Sequence, residues 1–375
     1  MNRVPKIAID ALGVNEVGGA RSVTIPLLKQ VFQIKSDWNF YCYLSAYEKD
    51  LDFPNVKQIV LPLSKGLISR FLFQLVVPIL TIIYKIDITH FIKSQASIIL
   101  FSKKILTIFD CTILKYPQYF NTPSRLFWRY LQPLFCKHMD EIITISLDAK
   151  REIVNELKVA PEKVTIIYPA SQFNVSEEQT TTASTDLEQK NGLGNEYLLY
   201  IGQIGLKKNL MTLINAFKII VENLSGFPRL FLVGPRYYLS DAGEIFDAIQ
   251  TLGLHNHIHY LGTLEKNELH AILSKASILL FPSVHEGFGI PMVEAMQMGI
   301  PVIASNTSVM PEVLNDAGIL IDDFLSPSAW AEGIITLWKS PEHRQQLSKK
   351  GIKRAGDFSW EGSAEQLIQI YERLL

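Results

Sequence analysis

Cysteine is scarce in this chain of 375 residues, which has three such residues, at positions 42, 111 and 136. Their odd number and wide spacing argue against a disulfide framework or a zinc site, and favour a reducing compartment. A surplus of positive charge is also missing, since the formal net charge is −1. A dedicated nucleic-acid-binding protein would be basic overall. We therefore expect a cytoplasmic protein with no nucleic acid as partner.

Long apolar segments are missing as well. The N-terminal run MNRVPKIAID leads into a predicted strand and lacks the apolar core of a signal peptide, so we do not expect secretion. One apolar stretch, FLFQLVVPILTII at residues 71–83, is shorter than the roughly 20 residues that span a bilayer. Two interpretations stay open: a helix buried in the protein, which we favour, or a helix that faces a membrane.

Signatures of three common enzyme classes do not occur. The sequence contains no His-Glu-x-x-His, no Gly-Lys-Ser/Thr and no Gly-x-Ser-x-Gly, which disfavours a zinc protease, a P-loop enzyme or a serine hydrolase. An Asp-x-Asp sequence, which occurs in one class of metal-dependent sugar transferases, stands at residues 50–52 in the charged segment EKDLDFPN. We interpret it as a surface turn.

Short apolar strands alternate with helical patterns along both halves of the chain. The predicted strands are 6–10, 39–44, 87–92, 104–109, 141–145, 197–201, 229–233, 257–260, 277–281 and 301–304. The predicted helices are near 19–34, 123–138, 147–157, 209–223, 240–252, 265–275 and 291–298. This alternation predicts parallel sheets that helices cover on both faces.

The length suits two α/β domains better than one. Residues 172–195 are polar and rich in Thr, Ser, Glu and Gln, which predicts a linker or surface loop. We predict a first domain at 1–171, a second at 196–357 and a C-terminal helix at 358–375 that packs on the first domain. The fold class is α/β, with two Rossmann-like, doubly wound domains that face each other across a cleft.

The strongest signal is the segment PSVHEGFGIPMVEAMQMGIP at residues 282–301. Gly287 and Gly289 allow a tight turn after a strand, and the following proline suits the first turn of a helix, whose free N–H groups favour phosphate. Glu286 and Glu294 bracket the turn, and carboxylates accept hydrogen bonds from sugar hydroxyls. Either glutamate alone is better explained as an ordinary loop or helix residue, but the whole constellation indicates a sugar-nucleotide site.

This segment resembles the signature of glycosyltransferase family 4, EGFG-x-P-x-x-E, which stands here at residues 286–294. YIGQIGLKKNLMTLINAF at 200–217 and PVIASNTSVMPEVLNDAGILI at 301–321 are also similar to that family. The likeness is closest to bacterial mannosyl- and rhamnosyltransferases. It implies the GT-B fold, hexose transfer with retention of configuration, and no metal or other cofactor. The implied partners are a GDP-, UDP- or dTDP-linked sugar and a saccharide or polyprenyl-linked acceptor.

The resemblance also implies roles for individual residues. Lys207 and Lys208 would neutralise the donor diphosphate, and Glu286, Lys208 and Asp110 would be the catalytic residues. Glu286 would position the sugar and Glu294 the ribose. The implied donor-binding residues are Gly18, Gly19, Gly202, Gln203, Lys207, Lys208, His285, Glu286, Gly287, Phe288, Gly289, Ile290 and Glu294.

Two positions depart from the family pattern. Gln203 stands where many relatives have arginine, and Phe109 stands where many have histidine. A phenylalanine side chain makes no hydrogen bond, which fits either a deoxysugar donor or a weakened enzyme. One alternative to a transferase is another GT-B enzyme, such as an epimerase or a phosphorylase. The other, which the departures at Phe109 and Gln203 motivate, is a sugar-nucleotide-binding protein without turnover. His90 matches a weaker family histidine, although a lone histidine at the end of a strand is more often structural. Arg21 is a candidate added cation or, equally, a residue of a solvated face.

Residues 65–137 carry ten basic residues and two acidic ones, with aromatic residues among them in YPQYF and RLFWRY. Such a surface suits anionic lipid headgroups or a polyprenyl-diphosphate carrier, which predicts peripheral contact with the cytoplasmic face of a membrane. The alternative is a set of ordinary solvated helix faces.

Overall fold

The computed structural model divides the chain into two compact units, Met1–Pro169 with Ser359–Leu375, and Ala170–Phe358. The described residues are 3–12, 14, 18–61, 67–92, 96–173, 196–236 and 242–375, without the side chains of 67–71. Of the predicted linker 172–195, only the first two residues fall within these ranges, and the rest lies outside the described residues.

The first unit contains a seven-stranded sheet in which all paired strands are parallel. Its strands are β1 (Lys6–Asp10), β2 (Asn39–Leu44), β3 (Val56–Val60), β4 (Ile88–Phe91), β5 (Lys103–Thr107), β6 (Glu141–Thr144) and β7 (Val164–Ile166). The strand order is β3-β2-β1-β4-β5-β6-β7. The order reverses between β1 and β4, as in doubly wound folds.

Helices cover both faces of this sheet. They are α1 (Gly19–Ile34), α2 (Leu67–Tyr84), α3 (Thr112–Lys115), α4 (Thr122–Leu126), α5 (Gln132–Lys137) and α6 (Leu147–Leu157). Side chains alternate between the faces along each strand. Ile7 and Ile9 of β1 pack in the core on the α1 side, and Ala8 packs in the core on the α2 side.

The helix predicted at 123–138 is confirmed, because the backbone is helical from residue 122 to residue 137. Phe127–Leu131 forms a π-helical turn between α4 and α5, and Pro133 stands in the first turn of α5. Proline has no N–H to donate to the preceding turn, so the regular α-helical hydrogen bonding changes at this place while the helix continues. The stretch at 71–83 is indeed helical, as α2. Among the described residues, no helix has both the length and the apolar character that crossing a bilayer takes.

The second unit contains a six-stranded parallel sheet in the order β10-β9-β8-β11-β12-β13. Its strands are β8 (Tyr197–Ile201), β9 (Arg229–Val233), β10 (Ile258–Gly262), β11 (Ile278–Phe281), β12 (Val302–Ser305) and β13 (Ile319–Ile321). This is the Rossmann order, and it reverses between β8 and β11. Ligands of such sheets bind beyond the carboxyl ends of the strands at that reversal.

Helices also flank the second sheet. They are α7 (Leu210–Asn223), α8 (Ala242–Thr251), α9 (Lys266–Ser274), α10 (Ile290–Gln297), α11 (Met310–Leu314), α12 (Pro327–Trp338) and α13 (Pro341–Ala355). Trp330 of α12 is fully buried, and its indole N–H donates to the Phe324 carbonyl at 3.0 Å. The prediction of two parallel α/β units is confirmed.

The last helix, α14 (Trp360–Leu374), belongs to the first unit. Its buried residues Ala364, Leu367 and Tyr371 pack in the same core as α1. The His90 ring bonds the Tyr371 hydroxyl at 2.7 Å and the Thr107 hydroxyl at 2.8 Å. The first unit therefore consists of two chain segments that are far apart in sequence.

Candidate active site

The loops after β8 and β11 form the candidate site, because these strands are neighbours where the sheet order reverses. Leu198 and Leu199 pair with Ile278 and Leu279, so the two strands end side by side. The loop after β8 includes a 3-10 turn at Leu206–Lys208. The loop after β11 contains His285, which is buried, and Glu286. The lysine-bearing loop after β8 and the glutamate-bearing loop after β11, which are far apart in sequence, thus lie at one edge of the sheet.

Lys208 and Glu286 form an ion pair in which the ammonium group donates to the carboxylate. Their side chains are only 16% and 17% exposed. Burial alone would raise the pKa of Glu286, but the charge of Lys208, hydrogen bonds from Lys208 and Ser283, and the charge of Lys207 together lower it below its ordinary value. The carboxylate is therefore ionised at neutral pH and lies among cations.

The turn that carries Lys207 and Lys208 is anchored by the residue that follows it. Asn209 has a left-handed backbone, with φ at 56°. Its amide donates to the Phe324 carbonyl at 2.8 Å, and its side-chain oxygen accepts from the Thr212 hydroxyl at 2.6 Å. These contacts fix the turn at the start of α7.

Close backbone packing positions the loop after β8. The Tyr200 hydroxyl donates to the Gln203 carbonyl at 2.8 Å, and a Cβ at Gly202 would lie 2.6 Å from that hydroxyl. A Cβ at Gly234, after β9, would overlap the Gly202 carbonyl oxygen. Both glycines are needed for this approach. The Gln203 side chain is partly exposed.

A serine of the loop after β12 holds the backbone of Glu286. The Ser308 hydroxyl accepts from the Glu286 N–H at 3.4 Å and lies 3.1 Å from the Glu286 carbonyl, to which it donates. The sequence analysis missed this residue. Its signal was the polar run SNTS directly after the strand that neighbours β11.

Gly289 makes the turn into α10. Its φ of +93° favours glycine, and a Cβ there would lie 2.5 Å from the Met292 methyl group. Phe288 is 2% exposed and packs edge-to-face on Phe358 with the ring centres 5.3 Å apart. Ile290 begins the helix, and Gly287 lies in the partly exposed part of the loop.

Glu294 of α10 is 3% exposed, and its Oε1 has no hydrogen-bond partner among the described residues. Burial raises its pKa to about 7, against smaller lowering contributions from hydrogen bonds with Gln172 and from the charge of Lys266. A buried polar atom without a partner is costly, and a ligand hydroxyl would satisfy it. This orphaned oxygen fits the implied ribose contact.

Three residues of the implied site belong to the first unit, and their roles in the site stay predictions. Gly18 and Gly19, at the start of α1, are exposed, and no atom of the described residues lies within 4 Å of an added Cβ. Asp110, beyond β5, accepts from the Thr112 N–H at 2.8 Å in the turn that leads into α3.

Other candidates of the sequence analysis have structural roles. Arg21 pairs with Glu48 and, at 3.1 Å, with Asp50, so it supports the 3-10 turn Lys49–Leu51 rather than standing free. That turn confirms the interpretation of the Asp-x-Asp spelling. His90 is 1% exposed, and burial lowers its pKa to about 3, so it is a neutral core residue.

Comparisons with known proteins agree with this arrangement. Residues 184–354 match the family model of glycosyl transferases group 1. The chain is 26% identical over 276 residues to O-antigen chain mannosyltransferase B of Escherichia coli, covering 72% of this chain and 71% of that protein. It is 27% identical over 245 residues to O-antigen chain mannosyltransferase RfbU of Salmonella typhimurium, covering 65% and 63%. The chain thus spans less than two thirds of the second relative.

Solved structures show the same fold over the whole chain. WaaG, a glycosyltransferase involved in lipopolysaccharide biosynthesis, superposes with a TM-score of 0.77 at 18% identity, covering 97% of this chain and 99% of that one. HepE of Anabaena in complex with UDP and glucose superposes with a TM-score of 0.77 at 17% identity, covering 98% and 100%. The architecture is therefore the two-domain α/β GT-B fold. The chain is a glycosyltransferase, and its residues 184–354 are similar to glycosyl transferases group 1. Membership of family 4 in particular stays a prediction.

Proposed function

We propose that the protein transfers a mannose- or rhamnose-like hexose from a nucleotide sugar to a saccharide or polyprenyl-linked acceptor in the synthesis of a surface polysaccharide or glycolipid. Transfer retains the anomeric configuration. The observation that carries the proposal is the Lys208–Glu286 pair at the reversal of the second sheet. It supplies a cation for a diphosphate and a carboxylate for a sugar at one edge.

The chemistry assigns a task to each side chain. Departure of a nucleoside diphosphate develops negative charge on phosphate oxygens, and the ammonium groups of Lys207 and Lys208 stabilise it without a metal ion. Glu286 is held ionised and accepts hydrogen bonds from sugar hydroxyls. The orphaned oxygen of Glu294 accepts a ribose hydroxyl. The catalytic role of Asp110 and the donor-binding roles of Gly18 and Gly19 are part of the same proposal.

The relatives support the choice of sugar class and pathway. Two of them are O-antigen chain mannosyltransferases, which favours a GDP-linked hexose as donor. HepE binds UDP and glucose, so UDP-linked donors are the second class to test, and dTDP-linked sugars the third. A lipid-linked acceptor would bring the protein to the cytoplasmic face of a membrane as a peripheral component.

A two-stage experiment tests the proposal. A thermal-shift screen of GDP-, UDP- and dTDP-sugars should give one donor that raises the melting temperature by several degrees, since selective binding to the folded state stabilises it. That donor is then incubated with a saccharide acceptor, and the product is analysed for transfer and anomeric configuration. We expect a transferred sugar with retained configuration, formed equally with and without EDTA. An altered free sugar nucleotide would indicate an epimerase, and binding without product a protein that lacks turnover.

A further inference from the structure

The outer side of α2 is apolar although it is exposed. Phe73, Val77 and Thr81 lie on the buried side, packed towards the first sheet. The opposite side exposes between 41% and 62% of each of five aliphatic residues, Leu72, Leu75, Ile79, Ile82 and Ile83. Their spacing of three and four residues places them on one side of the helix.

Nothing about this position in the fold requires an apolar exterior. Helix α6 packs in the same core through Ile153 and Leu157, yet it exposes Arg151, Asn155 and Glu156. Residues 72–84 of α2, by contrast, contain no charged side chain. Surface helices normally carry polar residues on the solvent side, and contiguous exposed apolar patches mark interaction sites.

Two other segments extend the apolar surface on the same side of the sheet. Trp128 and Phe135 pack in the core that α2 covers. Four residues close to them in sequence are each between 43% and 66% exposed: Leu126, Tyr130, Leu131 and Leu134. Leu100 packs in that core as well, while its neighbours Ile99 and Phe101 are 67% and 92% exposed. We call the exposed side chains of α2, 99–101 and 126–134 the α2 face.

Basic residues accompany the α2 face. Arg125 and Arg129 are exposed within the third segment, and Lys85 is exposed at the end of α2. The exposed Lys57 places its ammonium group 4.7 Å from the centre of the Tyr84 ring. Only two acidic residues occur between 65 and 137. Aliphatic, tyrosine and arginine side chains together are typical of surfaces that lie in a lipid–water interface.

We propose that the α2 face docks on an anionic lipid bilayer, with the aliphatic residues of α2 among the acyl chains and the arginines and lysines at the headgroups. The inference deepens the membrane contact of the proposed function by assigning it to a surface. The basic residues of the α2 face favour an anionic bilayer, rather than a second copy of the chain, as the binding partner. A symmetric dimer through this face would oppose its own basic residues, whereas anionic headgroups neutralise them.

Vesicle flotation tests the proposal with the full chain. The vesicles are phosphatidylcholine with or without phosphatidylglycerol, at low and high salt. The test variant is Ile79→Gln/Ile82→Gln, whose positions are 55% and 59% exposed. The matched control is Ile34→Gln/Ile352→Gln, at 42% and 53%, because Ile34 lies on α1 at the other side of the same sheet and Ile352 lies in the second unit. A second comparison tests the role of charge. Its test variant is Arg125→Gln/Arg129→Gln, and its control is Arg151→Gln/Lys349→Gln.

We expect the wild type and both controls to float with the anionic vesicles, less so at high salt. The Ile79→Gln/Ile82→Gln variant should partition about tenfold less, since two buried aliphatic side chains are lost from the interface. The Arg125→Gln/Arg129→Gln variant should lose its preference for anionic vesicles. Circular dichroism and melting curves that match the wild type establish that the variants are folded.

Three outcomes would overturn the inference. The first is equal flotation of the test variant and its control. The second is equal binding of the wild type to neutral and anionic vesicles. The third is a wild-type dimer that the Ile79→Gln/Ile82→Gln change dissociates without any vesicle binding, which would make the α2 face a contact between copies.

Donor turnover with a water-soluble acceptor and no vesicles separates this inference from the proposed function. Turnover that persists in a protein that fails to float removes only the docking surface. Flotation that persists without turnover removes only the proposed activity. The variants should leave turnover unchanged, because none of them alters a residue of the candidate site.

Discussion

The ammonium group of Lys208 donates a hydrogen bond to the Glu286 carboxylate, although 77 residues separate them in sequence. Strands β8 and β11 end side by side, and the Rossmann strand order makes them neighbours. The groups that we propose to bind phosphate and sugar are thereby held together without a donor. Preorganised charge of this kind costs no reorganisation during the reaction.

Lys208→Ala and Glu286→Ala should be the most damaging single changes. Each should lower kcat/KM for the donor by about 100-fold or more, as loss of a transition-state contact does. Lys208→Ala also removes the charge that most strongly lowers the pKa of Glu286. Burial then raises the pKa of this carboxyl, and the pH dependence of turnover should shift to higher pH. Steady-state kinetics on the exposed Lys349→Ala variant provide the control. Near-normal turnover of either site variant would remove its assigned role.

Glu294→Gln should weaken nucleotide binding and raise the free energy of unfolding above neutral pH. The raised pKa of about 7 means that the folded chain keeps a proton that the unfolded chain, with an ordinary pKa near 4.5, releases. The contribution of this carboxyl to the free energy of unfolding therefore falls as pH rises from 4.5 towards 7. Relative to wild type, the variant should gain about 1–3 kcal/mol more at pH ~8 than at pH ~5, and it should bind the nucleotide more weakly. Denaturant titrations at both pH values measure the free energy of unfolding, with Glu342→Gln as control. If the variant and the wild type differed in this free energy by the same amount at both pH values, the prediction would be contradicted.

Gly289→Ala should displace the loop that carries Glu286. The positive φ and the contact with Met292 make an alanine strained, at a cost of about 1–3 kcal/mol. Donor KM should rise in parallel. Gly243→Ala is the matched control, since that glycine lies in α8 and an added Cβ would have no atom within 4 Å in the part of the chain that the structure describes. A variant as stable as the control would show that the turn tolerates a side chain.

Tyr371→Phe should destabilise the first unit without affecting chemistry. It removes the hydroxyl that bonds His90 and leaves a buried ring nitrogen unpaired, which costs about 1–3 kcal/mol. Turnover at saturating donor should match that of the wild type. Thermal melts and initial rates measure both, with the exposed Tyr130→Phe as reference. Loss of turnover at unchanged stability would point to a role for His90 in the reaction.

Gln203→Arg should strengthen donor binding. The Gln203 carbonyl is held by Tyr200, so the substitution alters only a partly exposed side chain. A guanidinium group binds phosphate through two hydrogen bonds and should lower donor KM by about three- to tenfold. Kinetics of this variant are compared with those of Gln250→Arg on α8, which adds the same charge at an exposed position of the same unit. If the two give the same donor KM, position 203 lies outside the donor site.

The central strands were predictable from sequence because they are buried on both faces and read as continuous apolar runs. Strands β8, β11 and β12 are buried along their full length. The sequence analysis missed β3, β7 and β13, which all lie at sheet edges. β3 has the mixed pattern VKQIV, and the other two have three residues each. An edge strand has a neighbour on one side only, so its apolar signal is short and weak.

The resemblance placed Lys208, Glu286 and Glu294 in one candidate site, and the structure brings Lys208 and Glu286 into contact. The other contacts of the candidate site were not predictable from sequence. The contact of Ser308 with Glu286 depends on which strands are neighbours, which no local pattern encodes. The same holds for the interaction of Gln172 with Glu294, since a polar residue in a predicted linker carries no signal of its own.

The return of α14 to the first unit has a consequence for biosynthesis. On the ribosome, the apolar groove that receives Leu367 and Tyr371 is translated long before the helix that fills it. Nearly 190 residues of the second unit lie between, which at an elongation rate of about 5–20 residues per second is a delay on the order of 10–40 s. During that interval the nascent chain presents an uncovered hydrophobic surface, so chaperones that bind such surfaces have a defined binding window that closes only when α14 has been translated and has folded back.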